Sequence, residues 1–285
     1  MTAGRTMLRP IEPRDRSAVV ALLRRGFPQS CPSFWERGLE RQAALQPDRF
    51  GLLLERASGV VGVLLTLRSQ RFRDDGSRFE AMNLSSWYIE PPQRLKATAM
   101  LRAALADETE LVTDLTAAES IYRMNAAAGL SPWSSGMVLA GPLPWLAKPV
   151  SRGVQIRDLA AAATLLPPWE ADLLEWHRRD GCLAAVLCLP DRALPLLFRV
   201  IRRRGVRFAQ LIYAPDRQRV LAHLPAVMRF LVKNRLFFVA IDAHREICPA
   251  GALFRAGRQR FWRGPGDSVA RLDYAYSELV LLGVS

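Results

Sequence analysis

Apolar positions recur along the chain in two periods, near 3.6 and near 2, and the alternation between them sets out an element order. After a strand at 7–12, residues 14–25 (RDRSAVVALLRR) place Ala18, Val19, Leu22 and Leu23 on one helical face, which Gly26 closes. A less regular amphipathic segment covers 31–45 and stops before Pro47. Strand-like runs follow at 50–55, 60–68 and 78–90. They are joined by Ser58-Gly59 and by Asp74-Asp75-Gly76-Ser77, both hairpin signals, so the three form an antiparallel meander. Pro91-Pro92 ends it. Residues 94–105 then align Leu95, Met100, Leu101, Ala104 and Leu105 as a helix, 111–115 reads as a strand, 117–128 as a helix stopped by Gly129, and 137–140 as a last strand.

Past Pro149 the order recurs: strand 154–159, helix 168–179, strands 182–189, 195–202 and 206–214 with Pro190-Asp191 and Arg204-Gly205 as turns, helix 219–233, strand 236–242. The halves can be laid over each other through WYIEPPQRLKATAMLRAAL, from Trp87, and LIYAPDRQRVLAHLPAVMRFL, from Leu211; each runs strand, proline, arginine, helix. The pattern predicts two copies of one α/β (α+β) fold, residues 1–145 and 150–285, around a Pro- and Gly-rich linker at 141–153. A length of 285 residues accommodates two domains of ordinary size.

Composition removes several classes. Half the residues are apolar, which excludes disorder. Forty Lys+Arg against 27 Asp+Glu give a net charge of +13, nearly all of it arginine, since lysine occurs only at Lys96, Lys148 and Lys233. Such a charge suits an anionic partner, but the arginines are dispersed and the densest run, 202–204, is short, so a solvated surface accounts for it equally well. Cys31, Cys182, Cys188 and Cys248 form neither a Cys-x-x-Cys pair nor a disulfide framework, which points to a reducing cytoplasm and to no metal. The uncharged stretch from Met124 to Ala147 is broken by too many glycines and prolines to span a membrane. His177, His223 and His244 form no pair at ligand spacing; each could serve as a catalytic base, or take a surface or capping position, and Ser85 and Ser86 lack the context of a nucleophilic serine.

The segment with chemical content is NLSSWYIEPPQRLKATA, from Asn83. A strand ends at Glu90, a proline pair splays it, and a turn with Arg94, Lys96, Ala97, Thr98 and Ala99 opens into a helix. Outward-facing amides at a helix start, with small side chains beside them, suit a pyrophosphate. Together with the element order, strand–Pro–x–x–Arg–x–x–small–x–small–helix resembles the GNAT acetyltransferase superfamily, whose acyl-CoA loop reads Arg/Gln-x-x-Gly-x-Gly/Ala; here it reads Arg94-Leu-Lys-Ala97-Thr-Ala99. The likeness is fullest over 7–140 and weaker over 154–285, as in tandem GNAT proteins.

The resemblance implies two GNAT-like domains, each a mixed, mostly antiparallel sheet flanked by helices. It implies that Trp87, Tyr88 and Ile89 lie along the pantetheine arm of acetyl-CoA or another acyl-CoA, and that the amides of Arg94, Leu95, Lys96, Ala97, Thr98 and Ala99 hold its pyrophosphate. Direct attack by an amine or hydroxyl on the thioester needs no metal. The acceptor would be a small molecule, peptide or lipid, and transfer of an aminoacyl group from tRNA is a variant of the same class. Departures from the pattern are Ala97 for a glycine, and Asn125 where the family often places a tyrosine as general acid; Tyr122, one turn earlier, either substitutes or serves as a packing aromatic. Glu90 is the candidate base, or else caps the helix or pairs with Arg94. In the second half the loop reads Arg217-Gln-Arg-Val220-Leu-Ala222, and Val220 argues against a second acyl-CoA. The rival reading is a non-catalytic tandem protein, with both loops eroded, that binds an anionic partner.

Overall fold

The computed structural model describes residues 6–30, 32–73, 75–106, 109–203, 205–266 and 272–281. Cys31, Asp74 and Arg204, expected in a helix start and two turns, lie outside the described residues. The chain runs β1 (Met7–Pro10), α1 (Arg16–Gly26), α2 (Pro32–Leu45), β2 (Gly51–Arg56), β3 (Gly59–Phe72), β4 (Arg78–Ile89), α3 (Ala97–Leu105), β5 (Leu111–Asp114) and α4 (Tyr122–Ala127). It continues through β6 (Ser131–Ala140), α5 (Leu143–Leu146), β7 (Gln155–Asp158), α6 (Leu159–Ala162), α7 (Pro168–Arg179), β8 (Leu183–Cys188), β9 (Ala193–Arg203) and β10 (Val206–Tyr213). The last elements are α8 (Arg217–Ala222), α9 (Leu224–Lys233), β11 (Phe238–Ala243), β12 (Leu253–Arg263) and α10 (Glu278–Leu281).

Two compact units result. One comprises the residues up to 132 with Arg260–Gly266 and the residues from 276 onward; the other comprises Trp133–Gln259 and the described residues 272–275. In the first, β1 to β4 pair antiparallel in sequence order and β5 joins β4 in parallel. Helices α1 and α2 bury Val19, Leu22, Leu23, Trp35 and Leu39 against Phe50, Leu53, Val63 and Leu65 on one face. On the other, α3 packs Met100 and Leu101 against Leu64, Met82, Leu84 and Val112. The alternation Leu53/Leu54 and Val63/Leu64 divides the strands between these two cores, as period 2 requires. In the second unit the pattern repeats, with β7 to β10 antiparallel in order and β11 parallel to β10. Its core gathers Phe198, Leu211, Val227, Met228, Leu231 and Ile241.

The units are not the two halves of the sequence. Strand β6, which the pattern reads as the end of the first domain, lies in the second unit from Trp133 on and pairs antiparallel with β11, Val239 with Ala140 through Ala243 with Gly136. The end of β12 belongs to the first unit and pairs with β5, Phe261 with Asp114 through Arg263 with Val112. Each parallel strand thus has its outer edge covered, which removes an open template for further pairing. Periodicity announces that a strand exists and is silent on its partner. Strand β12 (LFRAGRQRFWR) is also masked by its arginines, which hide the alternation.

Smaller differences have local causes. The helix expected over 219–233 breaks at His223 (φ −108°, ψ 27°), because Pro225 brings no N–H to continue it. The first turns of the helices expected at 94–105 and 117–128 are tighter 3-10 turns, Pro91–Lys96 and Glu119–Ile121. His177 is not a surface or capping residue: it is fully buried, with Nδ1 2.8 Å from the Leu173 carbonyl one turn earlier.

Candidate active site

The first sheet opens between β4 and β5. Their parallel pairing runs from Ala81–Leu111 to Leu84–Asp114 and stops. At that point β4 carries a bulge: Leu65 faces Ser85 and Leu64 faces Trp87, leaving Ser86 as the extra residue. Ser86 has φ +31°, in the left-handed region that a side chain rarely adopts. A bulge bends its strand, and over residues 85–89 the edge of β4 turned toward β5 has no strand partner among the described residues. Beyond the bulge, Trp87 and Ile89 point into the core under α3, and Tyr88 points the opposite way. The Tyr88 ring lies against Gly26 and 6.3 Å from the Phe27 ring. These three residues therefore offer the opening their backbone, while their side chains are engaged in packing.

Glu90 follows at the rim. Its N–H donates to the Val61 carbonyl at 2.9 Å, and its carboxylate takes Arg25 at 3.0 Å. It neither pairs with Arg94 nor caps the helix. In the turn that follows, the Gln93 amide donates to Glu90 and the Ala97 amide to Arg94, so the Ala97 amide is used internally rather than turned outward for an anion. Arg94, Leu95, Lys96, Thr98 and Ala99 are exposed, Leu95 almost completely, and Ala97 is half-buried against the α3 core. The loop thus shows solvent two cations, Arg94 and Lys96, beside the start of a nine-residue helix.

A carboxylate that the sequence reading passed over sits at the opening. Glu278, the first residue of α10, is 1% exposed and spans from β4 to the segment after β5. Ser85 Oγ donates to its Oε2 at 2.5 Å, Thr116 Oγ1 donates to its Oε1, and the Ser86 amide donates as well. Its own N–H donates to Oδ1 of Asn83 at 3.2 Å, and Asn83 in turn donates to the Thr113 carbonyl at 3.3 Å. Burial pushes the Glu278 carboxyl up to about 7 against the pull of these donors, and the negative charge of Asp114 acts in the same direction as burial. Asp114, at the end of β5, is itself pushed up to about 6 by burial; Asn125, the backbone of Thr116 and Ala117, and Arg260 hold it back. The signal in the sequence was a lone acid in an apolar run, Ser-Glu-Leu-Val-Leu-Leu from Ser277, since a buried carboxylate has to find donors.

Asn125 is fully buried, and its Nδ2 donates to Oδ2 of Asp114 at 2.8 Å, so it orients a carboxylate and has no proton to give in acid catalysis. Tyr122, three residues earlier on α4, is half-buried beside the same core as Trp87 and Ala97, its ring 5.1 Å from that of Phe261. The structure therefore gathers Ser85, Ser86, Asp114, Thr116, Asn125 and Glu278 at the opening and leaves Glu90 at its rim.

The corresponding place in the second unit is filled. Strands β10 and β11 pair only from Phe208–Phe238 to Gln210–Ala240, and β10 then shifts register between Leu211 and Tyr213. The Ile212 carbonyl, freed by that shift, accepts the Tyr274 N–H at 2.8 Å. Arg217, the counterpart of Arg94, turns inward over the Trp133 ring at 4.6 Å. Its buried guanidinium has a lowered pKa despite the nearby Tyr274, Asp273, Asp242 and Tyr213. Val220 is buried in the core.

Among the described residues no three His, Cys, Asp or Glu side chains are placed to hold a metal, and no helix is long and apolar enough to cross a membrane. No protein-family model and no curated protein matches the chain. Solved structures do. It is similar to a GCN5-related N-acetyltransferase from Anabaena variabilis (TM-score 0.61, 13% identity, 91% of this chain and 72% of that one). It is similar as well to a GCN5-related N-acetyltransferase from Kribbella flavida (0.60, 14%, 93% and 72%) and to Eis1 from Mycobacterium abscessus (0.53, 15%, 91% and 73%). At these identities the likeness is one of fold: the chain has the mixed, mostly antiparallel fold of the GCN5-related N-acetyltransferases.

Proposed function

We propose that the protein is an acyl-CoA-dependent acyltransferase whose first unit binds the thioester and whose second unit is a degenerate copy that binds none. The observation that carries this reading is the unpaired edge of β4 beyond the Ser86 bulge, set against a loop that exposes Arg94 and Lys96. A pantetheine arm would add to that edge as a strand does, with its amides on the backbone of Trp87 to Ile89. The phosphates would meet Arg94, Lys96 and the remaining amides at the start of α3, with the Ala97 amide not contributing unless the turn relaxes. Catalysis is then mostly positioning: an amine or hydroxyl attacks the carbonyl directly, and an amide of the edge beyond Ser86 polarises it, the Ser86 amide being committed to Glu278. Tyr122, whose helix also carries Asn125 to Asp114, is assigned protonation of the departing thiolate. Calorimetric titration with acetyl-CoA tests the reading, followed by free-thiol release with a series of acyl-CoAs and amine acceptors. Absence of acyl-CoA binding would exclude it.

A further inference from the structure

Three hydroxyl and carboxyl groups at the bulge form a continuous chain. Ser85 Oγ donates to Glu278 Oε2 at 2.5 Å, and Ser86 Oγ lies 3.1 Å from Ser85 Oγ. Because the Ser85 proton is committed to the carboxylate, the Ser86 hydroxyl is the donor in the second bond. That leaves the lone pairs of Ser86 at the outer end, and Ser86 is half-buried while Ser85 and Glu278 are buried. The chain runs from a point beside the open edge of β4 to a carboxylate sealed from water. Such an arrangement conducts a proton inward without exposing the acid to solvent.

We propose that Glu278 is the proton acceptor of the acyl transfer, acting through Ser85 on Ser86, and that Ser86 is the group that touches the acceptor nucleophile. The inference rests on the acyltransferase reading. For an amine, R–NH3+ gives a proton to Ser86 Oγ as the Ser86 proton passes to Ser85 and the Ser85 proton to Glu278, which becomes a neutral acid. The freed nitrogen pair forms the C–N bond at the thioester carbonyl, and the C–S pair leaves on sulfur as thiolate. The second nitrogen proton reaches that sulfur, and Glu278 returns its proton to water back through Ser85 and Ser86. Ammonium and thioester become amide, thiol and one released proton.

The surroundings suit such a base. Facing Glu278 from β5 is Asp114, whose like charge discourages ionisation of both at once. From α2, Arg41 donates to the carbonyls of Val280 and Leu281, and from β12, Arg260 acts on Asp114. The donors that reach the Glu278 carboxylate are the Ser85 and Thr116 hydroxyls and the Ser86 amide, all neutral, and its carboxyl, at about 7, changes state near neutrality, where a general base is most effective.

The test compares full-length wild type with E278Q, S86A and D114N, measuring acetyl-CoA affinity by calorimetry and thiol release from acetyl-CoA with butylamine and a lysine-containing tripeptide from about pH 5 to about pH 9. Wild type should show an acidic limb near neutral pH. E278Q should bind acetyl-CoA within about threefold of wild type, lose about 100-fold or more in kcat, and lose the limb. S86A should lose about tenfold, with water in place of the hydroxyl, and keep the limb. D114N should move the limb to lower pH, because removing a negative neighbour eases ionisation of Glu278. If E278Q fails to fold, the S86A rate and the D114N shift decide alone. Full activity with an unchanged limb in E278Q, or an unmoved limb in D114N, overturns the relay and leaves the acyltransferase reading intact. A wild type that binds no acetyl-CoA overturns both; one that binds it and acylates neither amine overturns the amine relay and leaves the acyl-CoA site standing.

Discussion

The N–H of Tyr274 donates to the carbonyl of Ile212 at 2.8 Å, so the chain's own backbone occupies in the second unit the kind of edge that β4 leaves open beyond Ser86 in the first. A pantetheine arm would have to displace that bond, and its phosphates would miss the free outward arginine of the first loop, since Arg217 lies over Trp133 and the half-exposed Arg219 is engaged by Asp191 and Asp216. Both obstacles are built from buried groups. Removing either leaves the other in place.

Acetyl-CoA is therefore expected to titrate to one molecule per chain. Calorimetry of the full-length protein checks this directly, and two equivalents would show that Tyr274 and Arg217 do not obstruct the second unit. The variant Arg217→Ala should not create a second site, because the Tyr274 bond and the buried Val220 remain.

Gly26 ends α1 where a β-carbon would lie 2.4 Å from Cγ of the Tyr88 ring, well inside contact distance. The ring is held by Phe27 and by the core under α1, so it yields only by moving β4. Gly26→Ala should cost about 1–3 kcal/mol of stability in urea unfolding. It should also weaken acetyl-CoA binding, because Tyr88 belongs to the edge that would receive the pantetheine. Stability loss with unchanged affinity would separate Tyr88 from the binding edge.

Much of the frame was legible beforehand. The meander of β2 to β4, with its hairpin signals, and the strand–proline–arginine–helix pattern after Trp87 carried the fold, since period 2, turn chemistry and a helix start are local properties. The same locality concealed what distant segments supply. Nothing near Ser85 announces that Glu278, 193 positions away, accepts its hydrogen bond, and nothing in β6 says that it pairs with β11. Glu90 is a natural candidate base from its place at the strand end; that it also pairs with Arg25, because α1 packs beside β4, is a tertiary fact.

Charge reversal in the loop probes the phosphate assignment. Arg94 and Lys96 are exposed and the nearby Arg102 is also exposed, but Arg102 lies further along α3. Arg94→Glu or Lys96→Glu should weaken acetyl-CoA binding at least about tenfold at low salt and flatten its salt dependence, whereas Arg102→Glu should do much less. Equal effects from all three substitutions would mean that only the general positive field matters.

The pair Asn125–Asp114 ties stability to pH. Asp114 is raised from 3.8 to about 6 and Glu278 from 4.5 to about 7, so the native state holds protons that the unfolded chain releases between these values. Their contribution is fully present below about pH 4 and is lost as pH rises through 6 and 7. Asp15 works in the opposite sense: its bonds from Arg9, at 2.6 and 2.9 Å, lower it from 3.8 to about 2, so that contribution disappears only as pH falls below about 4. Asn125 donates to Asp114 in its ionised form and limits the cost of that charge. Asn125→Ala should therefore raise the Asp114 pKa further and steepen the decline. The predicted destabilisation is about 1–3 kcal/mol at pH 8, where Asp114 is charged and short of a donor, and smaller at pH 5, where it is mostly protonated. Urea unfolding at the two pH values measures both. A loss larger at pH 5 than at pH 8 would mean that the bond serves the protonated acid, and that Asn125 has the role of acceptor rather than donor.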